Sequence, residues 1–114
     1  MMKRIFVMAA AVGLLAASFQ ATASRVGDPV AGREKAAACI ACHGEDGNSP
    51  NPQFPRLAGQ YADYMVQALR DYKSGNRRDP VMNGIAADLS EQDMRDISAY
   101  YASQEGDLHV KRLR

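Results

Sequence analysis

Apolar residues recur at helical spacing between Gln60 and Ser74. They return every three or four positions, as expected for one buried helical face: Tyr61, Met65, Ala68, Leu69 and Tyr72. Gly75 follows at the place where a helix commonly ends. The pattern predicts an amphipathic helix over these residues.

A second periodic segment begins at Ser90 and reaches about Ser103. Its apolar positions are Met94, Ile97, Tyr100 and Tyr101. Asp93 stands three residues after Ser90, which is a variant of the capping box that starts many helices. We therefore predict that the last helix begins at Ser90.

Another helix is predicted from a start signal rather than from periodicity. Asp28 can cap a helix, and Pro29 suits its first position. We expect this helix to continue through the alanine run at 36–38 into Cys39. Gly32 lies inside it and costs roughly 1 kcal/mol relative to Ala. Either another helix approaches closely at Gly32, or the glycine is tolerated without a role.

Two further segments are too rich in turn-forming residues for a continuous element. Residues 44–59 hold three prolines and three glycines, and residues 76–89 contain the turn pairs Asp79-Pro80 and Asn83-Gly84. A loop as long as the first is unusual in a compact domain unless it is functional. No stretch alternates over strand length and no segment repeats, so we predict an all-α fold with long loops.

The candidate chemistry lies in Cys39-Ile40-Ala41-Cys42-His43. Two thiols three positions apart on a helical turn point the same way, and each can form a thioether with a haem vinyl group. His43 follows directly and can donate an imidazole nitrogen to the iron. C-x-x-C-H is the attachment signature of c-type haem, and histidine is a usual haem ligand. We predict one haem c, attached covalently through Cys39 and Cys42.

Other uses of the two cysteines fit less well. A disulfide across C-x-x-C would close a very short loop and constrain little of the unfolded chain. A zinc site needs two further ligands, and the only other histidine is His109 in a polar C-terminal segment. A thioredoxin-like pair belongs beside a strand–helix unit, and no strand is predicted.

The first residues have the pattern of a secretory leader. Lys3 and Arg4 precede an apolar run at 5–19, and Ala21-Thr22-Ala23 is a small-x-small cleavage pattern. The run is short for a membrane span of about 20 residues, so a retained anchor is the weaker interpretation. We expect a signal peptide at 1–23, cleavage after Ala23, and a periplasmic haem domain at 24–114 with no stable membrane span.

The iron can have a second protein ligand on the face opposite His43, or that coordination position can stay open for chemistry. Met65 lies on the apolar stripe of its helix, Met94 can pack as a hydrophobic staple, and His109 lies in the polar tail. Met82 stands between turn signals, in a predicted loop where a lone methionine has no helical face to serve. We therefore predict Met82 as the sixth ligand.

An ordered set of motifs covers nearly all of the predicted domain. The set is C-I-A-C-H-G at 39–44, F-P-R-L-A-G-Q at 54–60, G-N-R at 75–77, Met82, and D-I-S-A-Y-Y at 96–101. With these motifs the chain resembles the class I c-type cytochromes, and within them the small bacterial periplasmic branch and one half of the two-haem cytochrome c-four type. Only one C-x-x-C-H is present, so we expect no second haem domain and no internal haem-to-haem transfer.

The resemblance implies a fold of three main helices, with long loops wrapped around one haem. It implies that Pro55 offers its backbone carbonyl to the imidazole N–H of His43 and so fixes the ring. It also implies that Gly32 lets the first helix cross the last one near Ile97 and Tyr100. Arg77 is a candidate partner for a haem propionate, and a solvated loop arginine is the alternative.

These features predict a periplasmic electron carrier that is not an enzyme. It would cycle between Fe(III) and Fe(II), with redox proteins as transient donor and acceptor. The alternatives are a haem-bearing subunit of a larger oxidoreductase complex and a small peroxidase, which needs an open iron site and a distal acid/base group. The net charge of +1 gives no support to nucleic-acid binding.

Overall fold

Five helices follow one another within residues 26–106, the part of the chain that the computed structural model describes. They are α1 (Pro29–Lys35), α2 (Ala37–His43), α3 (Ala62–Ser74), α4 (Pro80–Ala87) and α5 (Glu91–Ala102). No strand occurs in this part of the chain, so the predicted all-α fold is confirmed. The predicted leader at 1–23 and His109 lie outside the described residues.

The two periodic helices form where the sequence predicts them. Gly75 ends α3 with a positive φ of 83°, a conformation that glycine adopts without strain. Ser90 and Asp93 make the predicted capping box at the start of α5: each side chain accepts a hydrogen bond from the backbone N–H of the other. The core between them includes Met65 of α3, which is 6% exposed, and Tyr101 of α5, which is fully buried.

The first predicted helix is divided in two. Its chain was expected to run unbroken from Pro29 into Cys39, but α1 ends at Lys35 and α2 starts at Ala37. At Ala36 the backbone N–H bonds to the carbonyl of Arg33, three residues back, which tightens the turn and ends the regular α-helical bonding of α1. Ala36 itself is fully buried. Of the two helices, α1 is the one that packs extensively against α5.

The prediction of an irregular segment over residues 76–89 is wrong, because Pro80–Ala87 form α4. Asp79-Pro80 starts this helix in the same way that Asp28-Pro29 starts α1: the aspartate accepts bonds from the N–H groups of Val81 and Met82, and Pro80 takes the first turn. Asn83 accepts a bond from the N–H of Asp79 at 2.8 Å and donates to the carbonyl of Tyr72. Met82 therefore lies in a short helix and not in a loop.

Gly32 is the point of closest approach between α1 and α5. A Cβ atom placed on Gly32 would lie 1.9 Å from the carbonyl oxygen of Asp96 and 2.9 Å from the Cβ of Tyr100. The crossing implied by the resemblance is thus present, one residue before the expected Ile97. Close approach, and not tolerance, explains this glycine.

Gly32→Ala is expected to lower the free energy of unfolding by about 1–3 kcal/mol, because the added methyl forces α1 away from α5. Gly84→Ala is the matched control, since Gly84 is also inside a helix and nothing lies within 4 Å of its Cβ position. That change should stabilise the protein by roughly 0.5–1 kcal/mol. Urea titration of both haem-containing variants checks the prediction, and equal effects of the two would contradict it.

A buried carboxylate also joins α1 to α5. The side chain of Asp96 is only 4% exposed and lies 2.6 Å from the ammonium of Lys35. It also accepts bonds from the backbone N–H of Asp28 and from the amide of Gln92, each at 2.8 Å. Burial alone would raise the pKa of Asp96, but these hydrogen bonds together lower it. The ion pair and its bonds fix the register of α1 on α5.

Asp93 makes the fold sensitive to acid. Hydrogen bonds, first from Ser90 and then from Lys35, lower the pKa of Asp93 from 3.8 to about 2. Because its pKa is lowered on folding, Asp93 stabilises the protein above about pH 4, and this contribution is lost as the pH falls toward 2.

Asp93→Asn should therefore lower the free energy of unfolding by about 1 kcal/mol at neutral pH, the usual value of a helix cap. The difference from wild type should shrink as the pH falls from about 4 to about 2. Denaturant midpoints measured across this range check the prediction, and a difference that does not change with pH would refute it.

Candidate haem site

Cys39 and Cys42 lie one turn apart on α2, as the motif predicts. They form no disulfide bond with each other. Cys39 is 9% exposed and belongs to the core cluster, whereas Cys42 is half-buried. Burial raises the pKa of the Cys39 thiol. Within residues 26–106 no group of three or more His, Cys, Asp or Glu residues could hold a metal ion, so the zinc interpretation gains no support there.

His43 is the last residue of α2 and is only 8% exposed. Its Nδ1 atom lies 2.7 Å from the backbone carbonyl of Pro55. A carbonyl can only accept a hydrogen bond, so Nδ1 is the nitrogen that carries the proton. The other ring nitrogen, Nε2, then has a free lone pair. The contact implied by the resemblance is therefore present, and it leaves the imidazole ready to bind a metal.

Met82 differs from the other described methionines in its burial. Met65 is 6% exposed and Met94 is 1% exposed, and both side chains are part of the protein interior. Met82 is half-buried, on a helix that packs against α3 and not extensively against α2. The predicted loop position of Met82 was wrong. Among the methionines of the described residues, however, only Met82 is not buried in the core. Its role as a ligand stays a prediction.

Arg77 lies on the turn between α3 and α4, and its guanidinium is placed against α3. The guanidinium carbon is 4.8 Å from the centre of the Tyr72 ring, within the range of a cation–π contact. One of its N–H groups reaches the hydroxyl oxygen of Tyr64 at 3.5 Å. The side chain is exposed. Arg77 is thus held beside an aromatic surface, and the propionate contact stays a prediction.

The residues present fit a covalently bound haem. The two cysteines lie on one helical turn and form no disulfide. The Nδ1 atom of the neighbouring imidazole is hydrogen-bonded to Pro55, so Nε2 is the nitrogen that would bind the iron. Met82 is half-buried, and it remains the predicted second ligand of a His/Met set, which is one of the sets that bind haem iron. No helix among the described residues is both long enough and apolar enough to cross a membrane.

Sequence reasoning missed three residues that fix the segment around His43. Tyr100 and Tyr101 donate hydrogen bonds from their hydroxyls to the carbonyls of Glu45 and Gly44. Gly47 lies against the ring of Tyr101, where an added Cβ would be 2.8 Å from its Cδ1 atom. The periodic pattern identified the tyrosines only as core residues, and no signal in the sequence points to their hydroxyl partners.

Comparison with known proteins agrees with this geometry. A family model described as Cytochrome c matches residues 30–105. Cytochrome c4 of Pseudomonas aeruginosa is 49% identical over 92 residues, which cover 81% of this chain and 46% of that protein. Cytochrome c-554(548) of Halomonas halodenitrificans is 43% identical over 82 residues, covering 69% of this chain and 99% of that protein.

The fold has a solved counterpart as well. The crystal structure of reduced recombinant cytochrome c4 from Pseudomonas stutzeri matches with a TM-score of 0.69 and 46% identity, over 73% of this chain and 48% of that one. The chain spans about half the length of the cytochrome c4 relatives that it matches. Its two cysteines have the spacing that attaches one haem c covalently, through Cys39 and Cys42. The chain belongs to the cytochrome c family.

Proposed function

We propose that the protein is an electron carrier whose iron is bound by His43 and Met82. The observation that supports this most directly is the 2.7 Å contact between Nδ1 of the buried His43 ring and the carbonyl of Pro55. A ring held in this way presents Nε2 in one fixed orientation. The haem, when bound, supplies a one-electron couple between Fe(III) and Fe(II).

The residues around the site act by limiting rearrangement between the two oxidation states. Pro55 fixes the His43 ring and makes it a stronger electron donor to the metal. Cys39 and Cys42 would attach the haem to α2, the same helix that carries His43, so that the cofactor and its histidine ligand would move together. Met82 would close the second face, and a His/Met ligand pair raises the reduction potential. Fixed ligands favour rapid electron transfer and disfavour bond chemistry.

An enzymatic function would need other groups. A peroxidase requires an open iron site and a distal acid/base residue. His43 is the only histidine among the described residues, and it is committed to Pro55. We propose that the protein is not an enzyme and that its partners are redox proteins that bind transiently. If it is instead a tightly held subunit of a larger oxidoreductase, it should co-purify with that complex at high salt.

Rapid-mixing measurements on the haem-containing protein test the proposed function. The reduced protein should bind carbon monoxide poorly and the ferric protein should turn over hydrogen peroxide slowly, while both exchange electrons rapidly with small redox mediators. Rapid binding of carbon monoxide by the wild type would contradict the electron-carrier function and favour a catalytic or gas-binding haem protein.

Export is proposed from the leader pattern at residues 1–23. The mature protein is expected to begin at Ser24, after the small residues at positions 21 and 23. Intact-mass measurement of the periplasmic fraction should give the mass of residues 24–114 plus one haem. A mass that includes the leader would support the retained anchor instead.

A further inference from the structure

Two adjacent tyrosines of α5 bind the segment that directly follows His43. The hydroxyl of Tyr100 donates to the carbonyl of Glu45, and the hydroxyl of Tyr101 donates to the carbonyl of Gly44 at 3.3 Å. Tyr100 is 6% exposed and Tyr101 is fully buried. The first two carbonyls after the histidine are therefore both tied to the last helix.

Tyr101 also holds the segment that follows Pro55. The backbone N–H of Gly59 donates to the carbonyl of Tyr101 at 3.0 Å. The carbonyl of Gly47 accepts bonds from the N–H groups of Leu57 and Ala58 at 2.8 and 3.2 Å, which joins the two segments directly. Gly47 leaves room for this arrangement, since a Cβ there would be 2.8 Å from Tyr101 and 2.8 Å from the nitrogen of Ala58.

The His43–Pro55 hydrogen bond thus joins two segments that are both hydrogen-bonded to Tyr101. One segment carries His43 and reaches the tyrosine hydroxyl through Gly44, and the other carries Pro55 and reaches the tyrosine carbonyl through Gly59. A hydrogen bond weakens steeply as its distance and angle leave the favourable range. Small movements of either segment would therefore change how strongly Pro55 polarises the imidazole.

We propose that Tyr101, assisted by Tyr100, is a positioning residue that sets the strength of the His43–Pro55 hydrogen bond and through it the reduction potential. This inference rests on the proposed function, because it takes His43 as the iron ligand. The hydroxyls of the two tyrosines bond to backbone carbonyls and not to the imidazole. They act through the two backbone segments, and their effect on the iron is carried by the imidazole.

Removing the hydroxyl of Tyr101 removes the only bond that ties the Gly44 carbonyl to α5 through that side chain. The carbonyl keeps its other bond, from the backbone N–H of Gly47 at 3.3 Å, but that bond lies within the loop and does not hold the loop to the helix. Burial raises the pKa of Tyr101, so the phenol stays protonated and continues to donate. Ser98 on the same helix provides the contrast. It is 1% exposed, and its hydroxyl has no hydrogen-bond partner.

The test compares Tyr101→Phe and Tyr100→Phe with Ser98→Ala, all as haem-containing proteins. Nuclear magnetic resonance follows the solvent exchange of the His43 Nδ1 proton in the reduced state, and spectroelectrochemistry measures the potential. Tyr101→Phe should speed the proton exchange about tenfold, the effect of losing one net hydrogen bond. Its potential should rise, because a less polarised imidazole stabilises Fe(III) less. Tyr100→Phe should act in the same direction, and Ser98→Ala should change neither quantity.

The outcomes separate this inference from the proposed function. If both tyrosine variants lower the melting temperature but leave proton exchange and potential as in wild type, the tyrosines are only core residues and the inference is wrong. If Tyr101→Phe does not fold, Tyr100→Phe decides alone by the same two measurements. If the wild-type spectrum shows that His43 does not bind the iron, the proposed function fails, and the inference fails with it.

Discussion

Replacing Cys39 and Cys42 together by Ser should release the haem from the polypeptide. Serine hydroxyls cannot form the thioether bonds, so haem staining should be lost after denaturing electrophoresis, where the wild type retains it. Each single replacement leaves one thioether and should retain covalent haem, which makes the single variants the matched controls. Staining that survives the double replacement would overturn the assignment of the attachment site.

The same double variant should be largely unfolded when it is made without haem. The described part of the chain is small, and its core cluster is built from few side chains: Ala36, Cys39, Met65, Ile97, Tyr100 and Tyr101. A domain of this size has little buried apolar surface to offset its conformational entropy. Far-ultraviolet circular dichroism should show mostly unfolded chain, and a cooperative thermal transition would contradict this expectation.

The helices that the sequence predicted best have two independent signals. Helix α5 has both an apolar period and a capping box at Ser90, and both are present in the structure. Helix α3 has a period and a terminating glycine, Gly75. When periodicity and end signals agree, the local preferences of the chain and its burial in the fold select the same conformation.

Helix α4 was missed because it offers only one of these signals. It is eight residues long and buries only Ala86, so it contains no periodic apolar face to detect. Its start signal, Asp79-Pro80, is shared between turns and helices, and Gly84 inside it suggested a turn. The side chain of Asn83 stabilises the helix by bonding to the carbonyls of Tyr72 and Arg77. Contacts of this kind cannot be predicted from the sequence pattern.

The division of the first helix has a similar origin. The alanine run at 36–38 is an excellent helix former, and no local breaker marks Ala36. The break coincides with Ala36, which is fully buried, at the end of a helix that packs against α5. Packing between distant elements therefore overrides local propensity at this position.

The candidate site also contains some residues that the sequence predicts and some contacts that it does not. Cys39, Cys42 and His43 are adjacent in sequence, so their chemistry could be predicted from spacing alone. The bond from His43 to Pro55 spans twelve residues, and it was expected only because the chain resembles a known family. The bond from Tyr101 to Gly44 spans 57 residues, and no periodicity or motif predicts it. Predictability falls as the sequence separation of the partners grows.

Met82→Ala should remove the sixth ligand of the iron, so that the iron can bind small molecules such as carbon monoxide. Alanine has no sulfur, so the ferric sulfur-to-iron charge-transfer band should vanish and the reduced form should bind carbon monoxide. The potential should fall, because the thioether favours Fe(II). Absorption spectra, carbon monoxide titration and spectroelectrochemistry of the purified protein measure these three effects.

Met65→Leu and Met94→Leu are the matched controls, because both methionines are buried in the interior, at 6% and 1% exposure. A volume-conserving change there should cost less than about 1.5 kcal/mol and leave the spectrum unchanged. Met82 differs from both controls in burial, because it alone among the methionines of the described residues is only half-buried. Loss of the charge-transfer band in Met94→Leu, with the band intact in Met82→Ala, would show that the interior methionine is the ligand.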